Sequence, residues 1–505
     1  MDSSSWLATR PGGSLQFSLL GVLLLVISAG IGSAQASEAD ISNLPLEALR
    51  TRMEGLPAPA RARALDIIKA NRIPAEDHVS LRVDNAGGVY YVCTAPPAAA
   101  APPAPAAAGP VVQGAAVPIS SQPIYHSKSG ATRAIFLDFN GHTATSTAWG
   151  SLVARPYDLD GNETTFNDAE QSAIQRIWAR VAEDYASFDV DVTTEEQNSL
   201  GNNQGRVVFT RDTDANGVAM PSKGAGGVAY VGVFGDSNYA ATFSPAWVYF
   251  NNLGGGRDDY CAEAASHEMG HNMGLSHDGL TNGAAYYGGH GSGATSWGPI
   301  MGTGYDRNVS QWSKGGYYLA NNIQDDFAII AGHCPYRSDD YGNTDATATY
   351  LAPAGGTAVS ITGIIANAAD IDVVAIPCGS GSVSLSVAPF VAPGNTRGGN
   401  LDVRLELYDA NGILVASADP TSTTSATLAI AVVQGGYFLR ILPTGVGTPL
   451  SNAPDGYTVY GSAGQYTLSG TVVASTGDVF APNASLATGG NVTSAGGTSK
   501  SFTVT

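Results

Sequence analysis

Basic residues are scarce in this chain, with 24 Lys and Arg against 43 Asp and Glu among 505 residues and a formal net charge of −19. Such a surface repels phosphate backbones and anionic lipid headgroups, which argues against nucleic-acid partners and membrane-surface binding. Charge of either sign is sparse, at 13% of residues where about a quarter is usual. Cysteine is scarcer still. Cys93, Cys261, Cys334 and Cys378 are too few for a disulfide-built scaffold but allow one or two bridges. Three full pairings are possible, and Cys261 with Cys334 is favoured because both fall in one expected domain. After the N-terminus no apolar run approaches the ~20 residues of a membrane span. Apolar residues are plentiful at 44%, enough to bury a large core, and 62 glycines point to turn-rich β structure with a neutral polar surface. The length suits roughly three domains.

The N-terminus has the pattern of an export signal. Arg10 precedes an apolar run from Phe17 to Ile27, and Ala34-Gln35-Ala36 supplies a small-x-small cleavage site. Residues 1–36 are therefore expected to be a signal peptide and the mature protein to be secreted. Residues 37–94, with two short helices and a strand at Val89-Tyr90-Tyr91-Val92, form a small expected pro-region. Residues 95–122 begin as an Ala/Pro-rich linker that cannot pack a core and offers a processing site. Residues 123–337 alternate strands and helices. Ala134 to Phe139, Val207 to Phe209, Val228 to Val233 and Ala246 to Phe250 read as strands, and Asp168 to Tyr185 reads as an amphipathic helix. A second helix begins after Asp258-Asp259, whose side chains are expected to cap it. Residues 338–475 change to short alternating strands with a hairpin turn at Asp409-Ala410-Asn411-Gly412, the pattern of an all-β sandwich. Residues 476–505 are a tail or the start of a further β module.

Chemistry concentrates in His267-Glu268-Met269-Gly270-His271-Asn272-Met273-Gly274-Leu275-Ser276-His277-Asp278. Residues four apart share a helix face, so His267 and His271 can offer imidazole nitrogens to one ion. Gly274 can take positive φ and end the helix, which lets His277 approach the same ion from another side. Three neutral imidazoles on Zn²⁺ leave one coordination position open, the mark of a catalytic site. Glu268 faces that position, where it would act as general base toward a water. A downstream glutamate as third ligand is excluded, because none occurs between Glu268 and Glu406.

This elongated motif resembles that of the metzincin zinc metalloendopeptidases, and Asp278 after the third histidine resembles their reprolysin-like (adamalysin-like) branch. The resemblance implies an α+β catalytic domain, with a twisted sheet and an active-site helix above the cleft. It also implies a methionine turn below, for which Pro299-Ile300-Met301-Gly302 is the candidate and Met301 the apolar floor. Two departures stand out. Pro299 replaces the cysteine usual in reprolysins two residues before the methionine, so their disulfide pattern does not transfer. Position 303 is Thr where a switching tyrosine ligand would stand, and Tyr305 is not assigned as a ligand.

Other signals are weaker. Asp158, Asp160 and Asn162 gather oxygens around Gly161 as a calcium loop would, without the full EF-hand spacing, and a plain Asp/Gly turn is the competing reading. Cys93 could hold the open zinc position to keep a precursor latent, or be a bridge or an inert thiol. Trp297, Tyr286 and Tyr287 either line the pocket or belong to the core. The region from Asp340 to Val473 is similar to the bacterial pre-peptidase C-terminal domain, through Asp370-Ile371-Asp372-Val373-Val374, Leu405 to Gly412, Gly435 to Ile441 and Gly464 to Leu468. That similarity implies a jelly-roll-like sandwich and an extracellular bacterial setting. The expected function is a secreted zinc endopeptidase acting on proteins or peptides with one Zn²⁺. The rivals are a secreted β-rich attachment protein with a vestigial zinc helix, and a zinc amidohydrolase acting on a non-protein amide.

Overall fold

A computed structural model of the chain describes residues 44, 46–96, 116–197, 200–393, 398–476 and 479–480. The expected signal peptide, most of the Ala/Pro-rich stretch and residues 481–505 lie outside the described residues.

Two helices open the described chain, α1 (Glu47–Glu54) and α2 (Ala58–Ala70). Their apolar residues Leu49, Met53, Leu65 and Ile68 pack with Val83, Val89 and Tyr91 of a hairpin formed by β1 (Leu81–Val83) and β2 (Val89–Thr94). The hairpin does not stand alone. It continues a sheet built from β3 (Ala134–Asp138), β4 (Asp191–Thr193), β5 (Gln204–Thr210), β6 (Ala225–Tyr230) and β7 (Ala246–Tyr249). The seven strands lie in the order β1-β2-β6-β7-β5-β3-β4. Strands β7, β5, β3 and β4 pair in parallel, whereas β6 is antiparallel to both β7 and β2. Parallel strands are covered on both faces, so they carry unbroken apolar runs such as Ile135-Phe136-Leu137 and Val207-Val208-Phe209, all buried.

Helix α3 (Asp168–Asp184) begins with a capping box. Asn167 accepts from the amides of Ala169 and Glu170, and Glu170 accepts from the Asn167 amide. Its buried Ile174, Ile177 and Val181 share a core with α4 (Asp258–Asn272). Helix α4 is buried from Asp259 to Asn272, a central helix enclosed on all sides rather than an amphipathic one. Its N-cap is Arg257, with no side-chain cap, and of the two aspartates expected to cap its free amides Asp259 does so, accepting from the Tyr260 amide at 3.0 Å. Both aspartates sit inside the first turn, where they complement the helix dipole and pair with Arg176 and Arg257. Helix α5 (Asp326–His333) is capped by Asp325, which accepts from the Ala328 amide at 3.1 Å. All four cysteines are unbonded, and the favoured Cys261–Cys334 bridge does not form. Cys261 lies within α4 in the neighbourhood of Tyr157, whereas Cys334 ends α5 near Arg133 and Asp189.

Below the central helix, β8 (Trp297–Pro299) and β9 (Val309–Gln311) form a parallel pair. The C-terminal region then supplies β10 (Thr349–Tyr350), β11 (Ala358–Ile365), β12 (Asp372–Cys378), β13 (Gly381–Pro389), β14 (Val403–Asp409), β15 (Leu414–Ala418), β16 (Ala426–Val432), β17 (Gly435–Pro443) and β18 (Gly464–Thr471). They make two sheets, β10-β12-β17-β14-β15 and β11-β18-β13-β16. Val374, Ile376, Leu405 and Leu439 of the first share one core with Leu385, Val387, Leu428 and Leu468 of the second.

The β region is fastened to the helices by buried polar groups. Glu183 of α3 accepts from the Gln465 amide at 2.9 Å and from Gln465 Nε2 at 2.8 Å, and Asn400 Nδ2 donates to Asp184 Oδ1 at 3.0 Å. Burial lifts the Glu183 pKa to about 8 despite those two donors. A carboxyl raised in the folded state adds stability that is full below its unfolded pKa and is lost as pH rises through the folded one. The melting temperature of the full chain should therefore fall as pH is raised from about 5 to about 9, and Glu183→Gln should flatten part of that slope. Thermal scans across pH check this, and an unchanged slope in the variant would contradict it.

Candidate metal centre

Helix α4 sets His267 and His271 one turn apart, both buried, and each ring is oriented by a carbonyl of its own domain. His267 Nδ1 lies 2.8 Å from Ile300 O and His271 Nδ1 lies 2.7 Å from Leu275 O, so both Nδ1 atoms carry the hydrogen and both Nε2 lone pairs are free. The helix ends at Gly274, whose φ of +100° reverses the chain. A Cβ there would also sit 2.6 Å from Asn71 Oδ1. The reversal brings His277 Nε2 to 3.2 Å from His271 Nε2. A fourth donor comes from β2, where Cys93 Sγ is 3.4 Å from His271 Nε2 and 3.6 Å from His277 Nε2. One ligand atom from each of Cys93, His267, His271 and His277 falls within 4.8 Å of the others, and all four residues are buried.

These spacings test the fit to zinc. Nitrogens at 2.0–2.1 Å and a sulfur at 2.3 Å in tetrahedral array would stand about 3.3 Å apart N to N and about 3.6 Å apart N to S. The observed 3.2, 3.4 and 3.6 Å match, and His267 Nε2 has no hydrogen-bond partner in the protein. Burial holds His267 and His271 neutral, with His267 pushed down to about 3 by burial and then by His277, and His271 well below the ordinary imidazole range. Neutral imidazoles are the form that binds a metal.

Glu268 is 1% exposed and stays out of this donor set. Its carboxyl lies against Gly227 of β6, where a Cβ would fall 2.7 Å from both Cγ and Cδ and nearer still to Oε1. Glu268 Oε2 has no hydrogen-bond partner, and burial holds the carboxyl well above the usual carboxylate range. Met301 is fully buried beneath the helix, and a Cβ on Gly270 would come 2.7 Å from its Sδ. The same turn supplies Ile300 O to His267 and Met301 O to the Asp278 amide at 2.8 Å. Asp278 is buried, with Tyr317 hydroxyl 3.5 Å from Oδ1.

Two residues at this centre, Asp77 and Tyr91, were not expected there, while Tyr286 takes the pocket-lining place that was one of its two readings. Asp77 accepts from the His277 amide at 2.8 Å, Tyr91 stacks 4.1 Å from His271, and Tyr286 lies 4.1 Å from His277 with its hydroxyl 3.4 Å from the Thr94 amide. Spacing rules cannot link residue 77 to 277. Tyr287 and Trp297 belong to a separate apolar cluster with Tyr317, and Tyr305 packs against Tyr260. Asp158 and Asp160 converge with Glu170, but protein donors engage them. Asp158 accepts from the amides of residues 160, 161 and 162 and from Arg211, Asp160 from Asn162 and Asn167, and Glu170 from Leu159 and Asn167. Asn162 Oδ1 accepts from Thr164.

Residues 165–278 match the Reprolysin_3 family, the reprolysin-like metallo-peptidases of family M12B. The match supports a zinc metallopeptidase and ends on Asp278, directly after the third histidine. No curated protein matches the chain. Among solved structures, the pre-peptidase C-terminal domain of a collagenase from Bacillus anthracis is 13% identical, covering 26% of this chain and 97% of that one with a TM-score of 0.17. The g-type lysozyme inhibitor PliG of Aeromonas hydrophila is 9% identical over 25% and 94%, also at 0.17. The Yersinia pseudotuberculosis-derived mitogen is 12% identical over 24% and 90%, at 0.15. Likenesses this weak carry no argument about function.

The full chain loaded with zinc should show three nitrogen scatterers and one sulfur by X-ray absorption, and Cys93→Ser should lose the sulfur while keeping the metal. A wild-type spectrum without sulfur would refute the four-donor geometry.

Proposed function

We propose that this protein is a secreted zinc endopeptidase of metzincin type, made in a latent form in which its own N-terminal region fills the cleft. The observation that carries the reading is the convergence of His267, His271 and His277 beside an uncoordinated, buried Glu268. His267, His271 and His277 would hold the zinc, which when bound polarises a peptide carbonyl and makes a nearby water acidic. Glu268 would take the proton of that water and pass it to the departing amine. Strand β6 would hold an extended substrate by main-chain pairing along the edge that borders Glu268.

That edge is taken by β2. Its register sets Cys93 opposite Gly227, the residue against Glu268, and Val92 opposite Val228. The N-terminal strand thus lies where a substrate strand would lie and places a thiol among the metal-binding nitrogens. This supports latency, with activation requiring residues 44–96 to leave the sheet. Secretion rests on the export-type N-terminus, and the jelly-roll-like reading of the C-terminal sheets on their sequence pattern, with aid to secretion or substrate attachment as its proposed role. A vestigial helix in an attachment protein would have no need to keep a buried carboxyl aimed past three oriented imidazoles, which disfavours that rival.

Glu268→Ala should lower cleavage of casein by about 10²–10⁴-fold in the activated enzyme while leaving zinc bound, because the base is not a ligand. Gly227→Ala should act in the same direction by displacing the carboxyl. Retained proteolysis in the Glu268 variant, with zinc measured by atomic absorption, would sink the assignment.

A further inference from the structure

The three histidines are not held alike. His267 and His271 orient their rings through carbonyls within their own domain, Ile300 O and Leu275 O. His277 has no such partner, and its Nδ1 makes no hydrogen bond in the protein. What faces it is Asp77, from the turn Ala75–Val79 of the N-terminal region. Asp77 is fully buried. Its Oδ2 accepts from the His277 amide and from the Tyr91 hydroxyl, both at 2.8 Å, while its Oδ1 has no hydrogen-bond partner and lies 3.6 Å from His277 Nδ1. Tyr91 in turn covers the site, its ring 4.1 Å from His271 and 4.3 Å from His277.

We propose that Asp77 is a positioning residue for the third histidine, so that the N-terminal region completes the outer sphere of the metal centre as well as covering it. This rests on the zinc reading above. A carboxylate against the far nitrogen of a ligating imidazole fixes its tautomer and strengthens it as a donor. Charge points the same way. A divalent cation with three neutral imidazoles and one thiolate keeps one net positive charge in a pocket closed to water, and the Asp77 carboxylate offsets it. When the N-terminal region leaves, His277 loses its amide acceptor, its ring partner and that charge together. The latent form is accordingly the form that keeps the metal, and the region acts as a retention device as well as a plug.

The test uses the zinc-loaded full chain and reads zinc transfer to a chromogenic chelator. Asp77→Asn keeps an acceptor for the His277 amide and removes the charge, and should speed zinc loss by about 10–100-fold. Tyr91→Phe keeps the ring over the site and breaks only the bond to Asp77, and should release zinc at the wild-type rate. Wild-type release from Asp77→Asn, or equal acceleration by both variants, would overturn the proposal, the latter because Asp77 would then serve only the fold of its own region. Should Asp77→Asn not fold, nitrogen-15 NMR of the wild-type zinc-loaded histidines decides. Three exchange-protected Nδ1 protons support the proposal, and only two at the centre overturn it. A wild-type chain that takes up no zinc would instead defeat the reading of the histidine site itself.

Discussion

Three imidazole nitrogens and a thiol brought within 4.8 Å of one another, out of contact with water, form the constraint around which this molecule is organised. His271 Nε2 and His277 Nε2 stand 3.2 Å apart, and such nitrogens buried together cost free energy unless a cation or a proton stands between them. Burial drives His267 and His271 toward neutrality, the form that offers lone pairs to a cation. The remaining devices keep the array from relaxing. The length of α4 sets two rings on one face, Gly274 turns the chain without strain, and the methionine turn both floors the helix and supplies the acceptor for His267.

Strand β2 joins this centre to the sheet through the simplest property of an extended chain, its period of two. Val89, Tyr91 and Cys93 are its most buried side chains and alternate with Tyr90 and Val92, so one face carries both the ring over the histidines and the thiol among them. A slip of one residue would turn both away from the centre and present Tyr90 and Val92 instead. Pairing with β6 on one side and β1 on the other fixes the register, and the core beneath α1 and α2 fixes β1. The cover over the histidines, the strand pairing and a small hydrophobic core are therefore one unit, so removing the cover means losing the whole unit rather than moving one side chain.

Much of this was legible in residue order because it is local. The spacing of four between His267 and His271, the glycine three further on and His277 after it state a candidate metal-binding helix and its exit within eleven positions. The boundaries of α3 and of the β hairpin at Asp409–Gly412 follow from periodicity and turn chemistry in the same way. What was not legible depends on packing between distant segments. Asp77 lies in a short 3-10 turn with no motif of its own, and only the pairing of β2 with β6 carries it to His277. Tyr286, Tyr287 and Trp297 carried the same two readings in sequence, pocket or core, and only packing beside Thr94 and His277 separates Tyr286 from the other two. The expected capping at Asp258-Asp259 is carried by Asp259 alone, which meets the Tyr260 amide and Arg257 together, while Arg176 engages Asp258.

The C-terminal sheets bear on the metal helix through a chain of buried polar contacts. Ser266, the residue before the first ligand, donates to Asp184 Oδ2 at 2.5 Å, and Asp184 Oδ1 accepts from Asn400, which lies just before β14. One helical turn earlier, Glu263 is clamped by Arg180 of α3 at 2.5 Å and by Ser310 of β9 at 2.7 Å, while the Ser310 amide donates to Gly399 O. Groups of this kind cannot be left half-paired in a dry interior without destabilising it. Displacing the β region would remove the Asn400 donor from Asp184 Oδ1 and the Gly399 acceptor from the Ser310 amide, so the surroundings of the helix that carries His267 depend on residues more than a hundred positions away. A domain attached in this manner is part of the scaffold of the metal centre, whatever else its outer surface binds.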